Sequence, residues 1–315
     1  MNAAATATHP KIAPAGASWF EASARQRLAG LVDAGSFEEF VGPRARLVSP
    51  HLPLFGLPQQ FDDGMVVGRA ALGGAPVLVA AQEGRFMGGA FGEVHGAKLT
   101  GLLRAARELR SVPVLILFDT GGVRLQEANA GEIAVSEIVR AVIDARAAGV
   151  PVVGLVGGRA GCYGGGGIIA ACCSALAVSE QGRIGVSGPE VIESRRGVDE
   201  FDSRDRALVW RTMGGKHRRL VGGAERFVDD TIDAFRDAAI ALVAQACAGA
   251  AFGTATLEAE HARLAGRIAR FGGCEDALDV WRALGASDAN AIPSLDGAAF
   301  AALAGRLTEV RDDAR

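Results

Sequence analysis

No excess of charge of either sign marks this 315-residue chain: 33 Lys and Arg stand against 36 Asp and Glu, a formal net charge of −3. That balance excludes the strongly basic footprint of a general nucleic-acid binder. Cysteine is scarce, with five residues (162, 172, 173, 247 and 274) and no C-x-x-C pair. A zinc ribbon is therefore disfavoured, and an odd count in a chain this long argues against a disulfide scaffold. The opening MNAAATATHPKIAPAG lacks the apolar core of a signal peptide, so residues 1–17 read as a disordered leader. The longest apolar stretch, Val150 to Val178, is interrupted by Arg159 and many glycines, a composition unsuited to a membrane span. The expectation is a cytoplasmic protein that engages neither membrane nor nucleic acid. Nucleotide and hydrolase signatures are missing too. There is no G-x-x-x-x-G-K-[ST] loop and no G-x-S-x-G elbow, and Gly157-Gly158-Arg159-Ala160-Gly161 lacks the spacing of a dinucleotide fingerprint.

What the chain does have is 43 glycines, without a collagen-like period, in a composition 49% hydrophobic and 22% charged. That is an ordinary globular chain, long enough to bury a sizeable core. A helix is expected over 18–42. Gly64–Leu72 and Ala75–Ala81 are apolar runs joined by Gly73-Gly74, a hairpin signal. A helix over about 93–109 carries Leu99, Leu102, Leu103 and Ala106 at core-facing spacing. Val114–Phe118 and Val150–Val156 are continuous apolar runs, the look of strands covered on both faces, with a helix over 125–148 between them. Both begin Val-Pro-Val and run into a Gly-Gly pair, so one unit of strand, glycine turn and helix is used more than once. Such alternation predicts an α/β fold with parallel strands and right-handed crossovers. Past Gly185-Val186-Ser187-Gly188-Pro189-Glu190 the pattern turns helical over 203–213, 228–249, 255–270, 275–284 and 296–311. We read one α/β domain over 18–250 and a helical C-terminal extension over 251–315.

Two glycine clusters carry the chemistry. Gly121-Gly122 follows Asp119-Thr120 at a strand end, and Gly164-Gly165-Gly166-Gly167 opens a short helix. Glycines present backbone N–H groups without side-chain obstruction, and a helix N-terminus leaves its first N–H groups unpaired. Two such donors converging on one point make an oxyanion hole; the alternative is that the glycines serve only tight turns and close packing. Cys162, with no His beside it, reads as a small buried filler.

Three segments carry a family resemblance: Phe86-Met87-Gly88-Gly89-Ala90-Phe91-Gly92, Phe118-Asp119-Thr120-Gly121-Gly122-Val123-Arg124-Leu125-Gln126-Glu127 and Gly185-Val186-Ser187-Gly188-Pro189-Glu190-Val191-Ile192-Glu193. In order and spacing they resemble the carboxyltransferase branch of the crotonase superfamily over roughly residues 35–250. With Phe201–Arg206 and Gly214–Arg218 added, the chain most resembles the β subunits of biotin-independent malonate decarboxylases. The resemblance implies a crotonase-like spiral of β-β-α units. It implies a carboxy-lyase that converts a malonyl thioester to the acetyl thioester and CO2, the enolate being held by backbone amides. Gly121, Gly122, Gly165 and Gly166 are the candidate catalytic donors. Gly88, Gly89, Arg124, Gln126, Gly164, Gly188 and Pro189 are the candidate substrate-binding positions, and no metal is implied.

No cofactor is expected on this chain, since the substrate rides on the CoA-derived phosphopantetheine-type arm of an acyl carrier protein. The implied partners are a homologous γ subunit supplying a second half-site, the acyl carrier protein and its transferase subunit. Two alternatives stay open: a biotin-dependent acyl-CoA carboxyltransferase subunit, and a non-catalytic scaffold that completes a partner's site. The absence of cysteine before 162, where acyl-CoA carboxylase β subunits often carry a zinc ribbon, weighs against the first. Ile168 and Ile169, standing where hydratases of the superfamily place a Glu, weigh against hydration. Tyr163, Glu93 and His95 lie near the glycine loops without identifying a proton donor. Lys216, His217, Arg218 and Arg219 are either a phosphate-facing cluster or a solvated charge run.

Overall fold

A computed structural model describes residues 16–58, 61, 64–249 and 251–312, the side chains of 308–312 excepted. The expected leader lies, as far as residue 15, outside the described residues. Gly16 and Ala17 are tied down: the Gly16 N–H donates to Asp233 and the Ala17 carbonyl accepts from Ile232. The chain proceeds through α1 (Ala24–Leu31), β1 (Glu38–Phe40), α2 (His51–Leu54), β2 (Met65–Leu72), β3 (Ala75–Gln82), α3 (Glu93–Leu109) and β4 (Val114–Phe118). It continues with α4 (Ala130–Ala147), β5 (Val152–Val156), β6 (Cys162–Tyr163), α5 (Gly165–Ala171), β7 (Ala175–Ser179), β8 (Ile184–Gly185) and α6 (Pro189–Arg196). Last come α7 (Arg206–Met213), α8 (Gly215–Leu220), β9 (Arg226–Val228), α9 (Ile232–Ala248), α10 (Thr254–Phe271), α11 (Ala277–Ala283) and α12 (Gly297–Asp312).

Seven strands form the main sheet in the order β1-β2-β3-β4-β5-β7-β9. The first three run antiparallel, through the Gly73-Gly74 hairpin, and β3-β4-β5-β7-β9 are parallel. Period-two alternation divides the interior. Val114, Ile116 and Phe118 of β4 join the core beneath α3, α4 and α5, while Leu115 and Leu117 join Trp19, Leu28, Phe235 and Leu242 beneath α1 and α9. Burial on both faces is why β4 and β5 are unbroken apolar runs. A second, short layer lies over the strand ends: β6 pairs with β8, and single bridges join Phe91 to Val123 and Thr120 to Cys162. Each unit thus reads long strand, short strand, helix (β5, β6, α5; β7, β8, α6), the spiral of β-β-α units expected from the sequence.

Two expected elements change. The helix over 18–42 shrinks to the eight residues of α1, capped by Ser23 and Gln26 bonding each other's backbone N–H groups. The chain leaves α1 at Val32, where Asp33 takes the N–H groups of Gly73 and Gly74, and Glu38–Phe40 then pairs with β2. The helix over 125–148 begins five residues late: Leu125–Glu127 is a separate 3-10 turn, because the Glu127 carboxylate instead receives the Glu93 N–H at the start of α3 (2.6 Å).

The C-terminal helices share a small core with α8: Trp281, Leu284, Ile292 and Phe300 pack with Leu220. Lys216 Nζ donates to the carbonyls of Pro293 (2.8 Å) and Leu295 (2.7 Å), and Trp281 Nε1 donates to His217 Nδ1 (3.2 Å). Burial, with the Arg218 charge beside it, pushes the His217 pKa down to about 3. Folding therefore favours the neutral ring. The stability it contributes is full above the ordinary histidine pKa of about 6.5 and is lost as the pH falls toward 3. Between pH 7 and pH 5 this amounts to about 2 kcal/mol. His217→Gln keeps an acceptor for Trp281 but does not titrate, so denaturant unfolding at the two pH values should show that part of the loss in the parent and not in the variant. Equal losses would contradict the assignment.

Candidate active site

The Gly88-Gly89, Gly121-Gly122 and Gly164–Gly167 clusters lie beyond the C-terminal ends of β3, β4 and β5. That is the side on which open parallel sheets hold ligands. Backbone hydrogen bonds join them into one structure. Gly121 N–H donates to the Gly88 carbonyl (2.8 Å), Phe91 N–H to Gly122 (2.7 Å) and Arg124 N–H to Phe91 (2.9 Å). Thr120 N–H donates to Gly161 (2.8 Å) and Tyr163 N–H to Thr120 (3.0 Å), which places the Gly121-Gly122 turn beside Gly164. The approach is backbone to backbone, since a side-chain carbon on Gly164 would stand 3.3 Å from Gly122 Cα. Gly164 (φ 56, ψ −129) and Gly122 (φ 129) occupy conformations that a side chain would strain. Gly164 has no side chain to cap α5, and in its first turn the N–H groups of Gly165 and Gly166 have no intrahelical acceptor. Close packing also acts on these glycines: a side-chain carbon on Gly165 would strike Val135, and one on Gly166 would strike Thr120.

Several expectations need correction. Gly121 is not a free donor, because its N–H is bonded to Gly88. The donor left in that turn is Gly122, whose N–H meets only the Thr120 hydroxyl of its own turn (3.1 Å). Arg124 does not face a substrate: its guanidinium is 1% exposed and paired with Glu127 at 3.1 Å. Gln126 is exposed on the following turn, and Gly188 and buried Pro189 open α6, three residues beyond the Tyr163–Gly185 strand pair. The Lys216–Arg219 segment is neither a solvated run nor a phosphate clamp at its start, where Lys216 and His217 dock the C-terminal region.

Of the groups weighed as proton donors, the Tyr163 ring lies between Gly161 and Gly185 in an apolar cluster with Phe201, Val209 and Met213. Burial raises its pKa and keeps the phenol neutral. His95 is buried beside Phe91, with ring centroids 5.1 Å apart, and the Glu93 carboxylate binds Ser49 and His51 (both 3.2 Å). Cys162 is buried and its thiol pKa is pushed well up by desolvation, as suits a filler and not a nucleophile.

Sequence reading missed Asp119 and Arg27. The Asp119 carboxylate, at the end of β4, accepts Arg27 Nη1 (2.7 Å) and the Ala160 N–H (2.6 Å), while its backbone N–H reaches Gln82 Oε1 (3.1 Å). The available signal was a lone carboxylate ending a five-residue apolar strand.

The buried Arg124–Glu127 pair yields a stability prediction. Arg124→Met leaves Glu127 as an uncompensated interior charge and should cost about 3–5 kcal/mol in denaturant unfolding, whereas exposed Gln126→Ala should stay within about 0.5 kcal/mol. A near-neutral Arg124→Met would contradict the structural role given to the pair.

Comparison with known proteins places the chain in a family. A family model described as the carboxyl transferase domain matches residues 21–216. The chain is 45% identical over 240 residues to the malonyl-S-ACP:biotin-protein carboxyltransferase MADC of Malonomonas rubra, covering 72% of this chain and 75% of that one. It is 30% identical over 179 residues to the methylmalonyl-CoA carboxyltransferase 12S subunit of Propionibacterium freudenreichii, covering 56% of this chain and 33% of that one. Among solved structures, a chain of the malonate decarboxylase hetero-tetramer of Pseudomonas, in complex with malonate, superposes with a TM-score of 0.76 at 41% identity. That match covers 85% of this chain and 98% of the other. With its crotonase-like spiral and its loops so placed, the chain belongs to the carboxyl transferase domain family.

Proposed function

We propose that this chain is a subunit of a cytoplasmic malonate decarboxylase, in which a malonyl thioester carried on an acyl carrier protein loses CO2. The observation that carries the reading is the meeting of the Gly122 turn with the Gly164–Gly166 helix start. When the bond between the carboxylate carbon and the central carbon breaks, its electron pair passes into the thioester and the charge gathers on the carbonyl oxygen. Gly122 N–H, with Gly165 or Gly166 N–H, is the donor pair for that oxygen. An anionic oxygen is a stronger acceptor than the Thr120 hydroxyl and displaces it from Gly122. One preorganised donor is worth about 2.7–4 kcal/mol of transition-state stabilisation in a site closed to water. The enolate carbon then takes up one proton, drawn from solvent, giving the acetyl thioester. The thioester carbonyl is itself the electron sink, so this route asks for no bound cofactor.

Gly88, Gly89, Gly164, Gly188 and Pro189 are the surfaces along which the phosphopantetheine-type arm would lie, with Gln126 at the mouth. Family members build their site from two homologous halves, and this chain has one copy of each motif. The second half is therefore assigned to a homologous γ subunit, with the acyl carrier protein and its transferase completing the assembly. The Pseudomonas chain it superposes on comes from a hetero-tetramer, which supports a heteromeric setting. Native mass measurement of co-expressed subunits should give a heteromer as the active species, and a fully active monomer would contradict it.

The similarity to MADC favours one second reading, transfer of the same carboxyl group to biotin. The two share the enolate and differ in the fate of CO2. Incubating the assembled enzyme with malonyl thioester and no biotin should give acetyl thioester and CO2 at a rate that avidin does not change. Turnover that needs biotin and stops with avidin would establish the transferase instead.

A further inference from the structure

We infer that Arg27, acting through Asp119, is a positioning residue for the glycine-loop site, and that residues 18–27 form a strap holding the site loops in register. This deepens the proposed function and rests on it. The strap touches the loop after each of four strands. Beyond β3, Glu83 accepts the Ala24 N–H (3.0 Å) and Arg85 donates to the Glu21 carbonyl (2.9 Å). Beyond β5, Arg159 pairs with Glu21. Beyond β9, Asp230 accepts the Ser18 hydroxyl (2.6 Å) and the Phe20 N–H (3.0 Å). The fourth contact, beyond β4, is the Arg27–Asp119 pair at 2.7 Å, the two side chains 1% and 4% exposed.

Arg27 is suited to this by its forked guanidinium. One arm reaches Asp119, while Nε donates to the Trp19 carbonyl (2.8 Å) and the other arm faces the Phe20 carbonyl (3.4 Å), so one group bonds the strap and the site loop together. Asp119 passes the constraint on. It directly precedes Thr120-Gly121-Gly122, and its second oxygen holds Ala160, whose segment leads through Cys162 and Tyr163 to Gly164. Both loops of the donor pair are therefore referred to one carboxylate. The space around it is kept by glycine: a side-chain carbon on Gly84 or Gly158 would strike the Asp119 carboxylate, and one on Gly89 its carbonyl oxygen.

A pair that only stabilises the fold and one that positions donors differ in their kinetics. Arg27→Met and Asp119→Asn each leave the other residue as an unpaired interior charge, while Arg27→Met/Asp119→Asn leaves none. In the assembled enzyme the double variant should recover most of the thermal midpoint lost by the single variants. Its kcat should stay at least about tenfold below the parent's with KM within about threefold, the pattern of an interaction felt in the transition state. Recovery of kcat along with the midpoint, or a change confined to KM, would overturn the inference. Arg27→Lys, which keeps a cation opposite Asp119, serves if the charge-deleted variants do not assemble. Because it lacks the fork to the Trp19 and Phe20 carbonyls, its kcat should fall at least about tenfold with KM within about threefold and the midpoint near the parent's, and a kcat within about threefold of the parent's would overturn the inference. Turnover is followed both as CO2 release and as carboxyl transfer to biotin, so the pair is tested on whichever reaction the parent assembly runs, and a failed decarboxylase reading is told apart from a failed positioning role.

Discussion

A carboxylate at the inner end of a strand covered on both faces must be paired and hydrogen-bonded or surrender its charge. Asp119 meets that requirement with Arg27 on one oxygen and the Ala160 N–H on the other. The rest of the site follows from this arrangement. The turn after β4 cannot move without disturbing the turn after β5, and the loop carrying Gly88 closes on the first of them through the Gly121 N–H. Rigidity of this kind is what an oxyanion hole needs, because a donor that has to reorient during reaction loses much of its advantage over water.

The same geometry explains the glycines. At Gly122 and Gly164 the backbone conformation excludes side chains, whereas at Gly165 and Gly166 it is the neighbouring Val135 and Thr120 that do so. Packing and catalysis are thus not competing accounts of these residues. The contacts that forbid a side chain also hold the start of helix α5 beside the Gly122 turn, which is what the proposed donor pair requires. Among the relatives, MADC carries malonyl in its name and the Pseudomonas malonate decarboxylase was solved in complex with malonate.

Much of the fold was legible because the core is strongly patterned. Strand Val114–Phe118 and the helix Glu93–Leu109 stand where their apolar patterns place them, and the Gly73-Gly74 hairpin is where its turn chemistry puts it. Legibility fails where side chains from distant segments decide the outcome. Asp33 ends α1 by capturing the hairpin N–H groups, and Glu127 delays α4 by serving α3; neither partner is near in sequence. The site divides in the same way. Its glycine clusters announce themselves, but which amide stays available depends on tertiary bonds, so Gly121 and Gly122 look alike in the sequence and differ in the fold. Arg124 looks like an anion ligand until its guanidinium is found beside Glu127, and Arg27 looks like an ordinary helical arginine until the chain brings it 92 residues along to Asp119.

The most direct measurement is a structure of the assembled enzyme with an inert malonyl-thioester analogue, or an enolate mimic, in place of substrate. The thioester oxygen is predicted to sit within hydrogen-bond distance, about 2.7–3.2 Å, of Gly122 N and of Gly165 N or Gly166 N, with the Thr120 hydroxyl displaced from Gly122. An oxygen bound elsewhere, with Gly122 still donating to Thr120, would contradict the account.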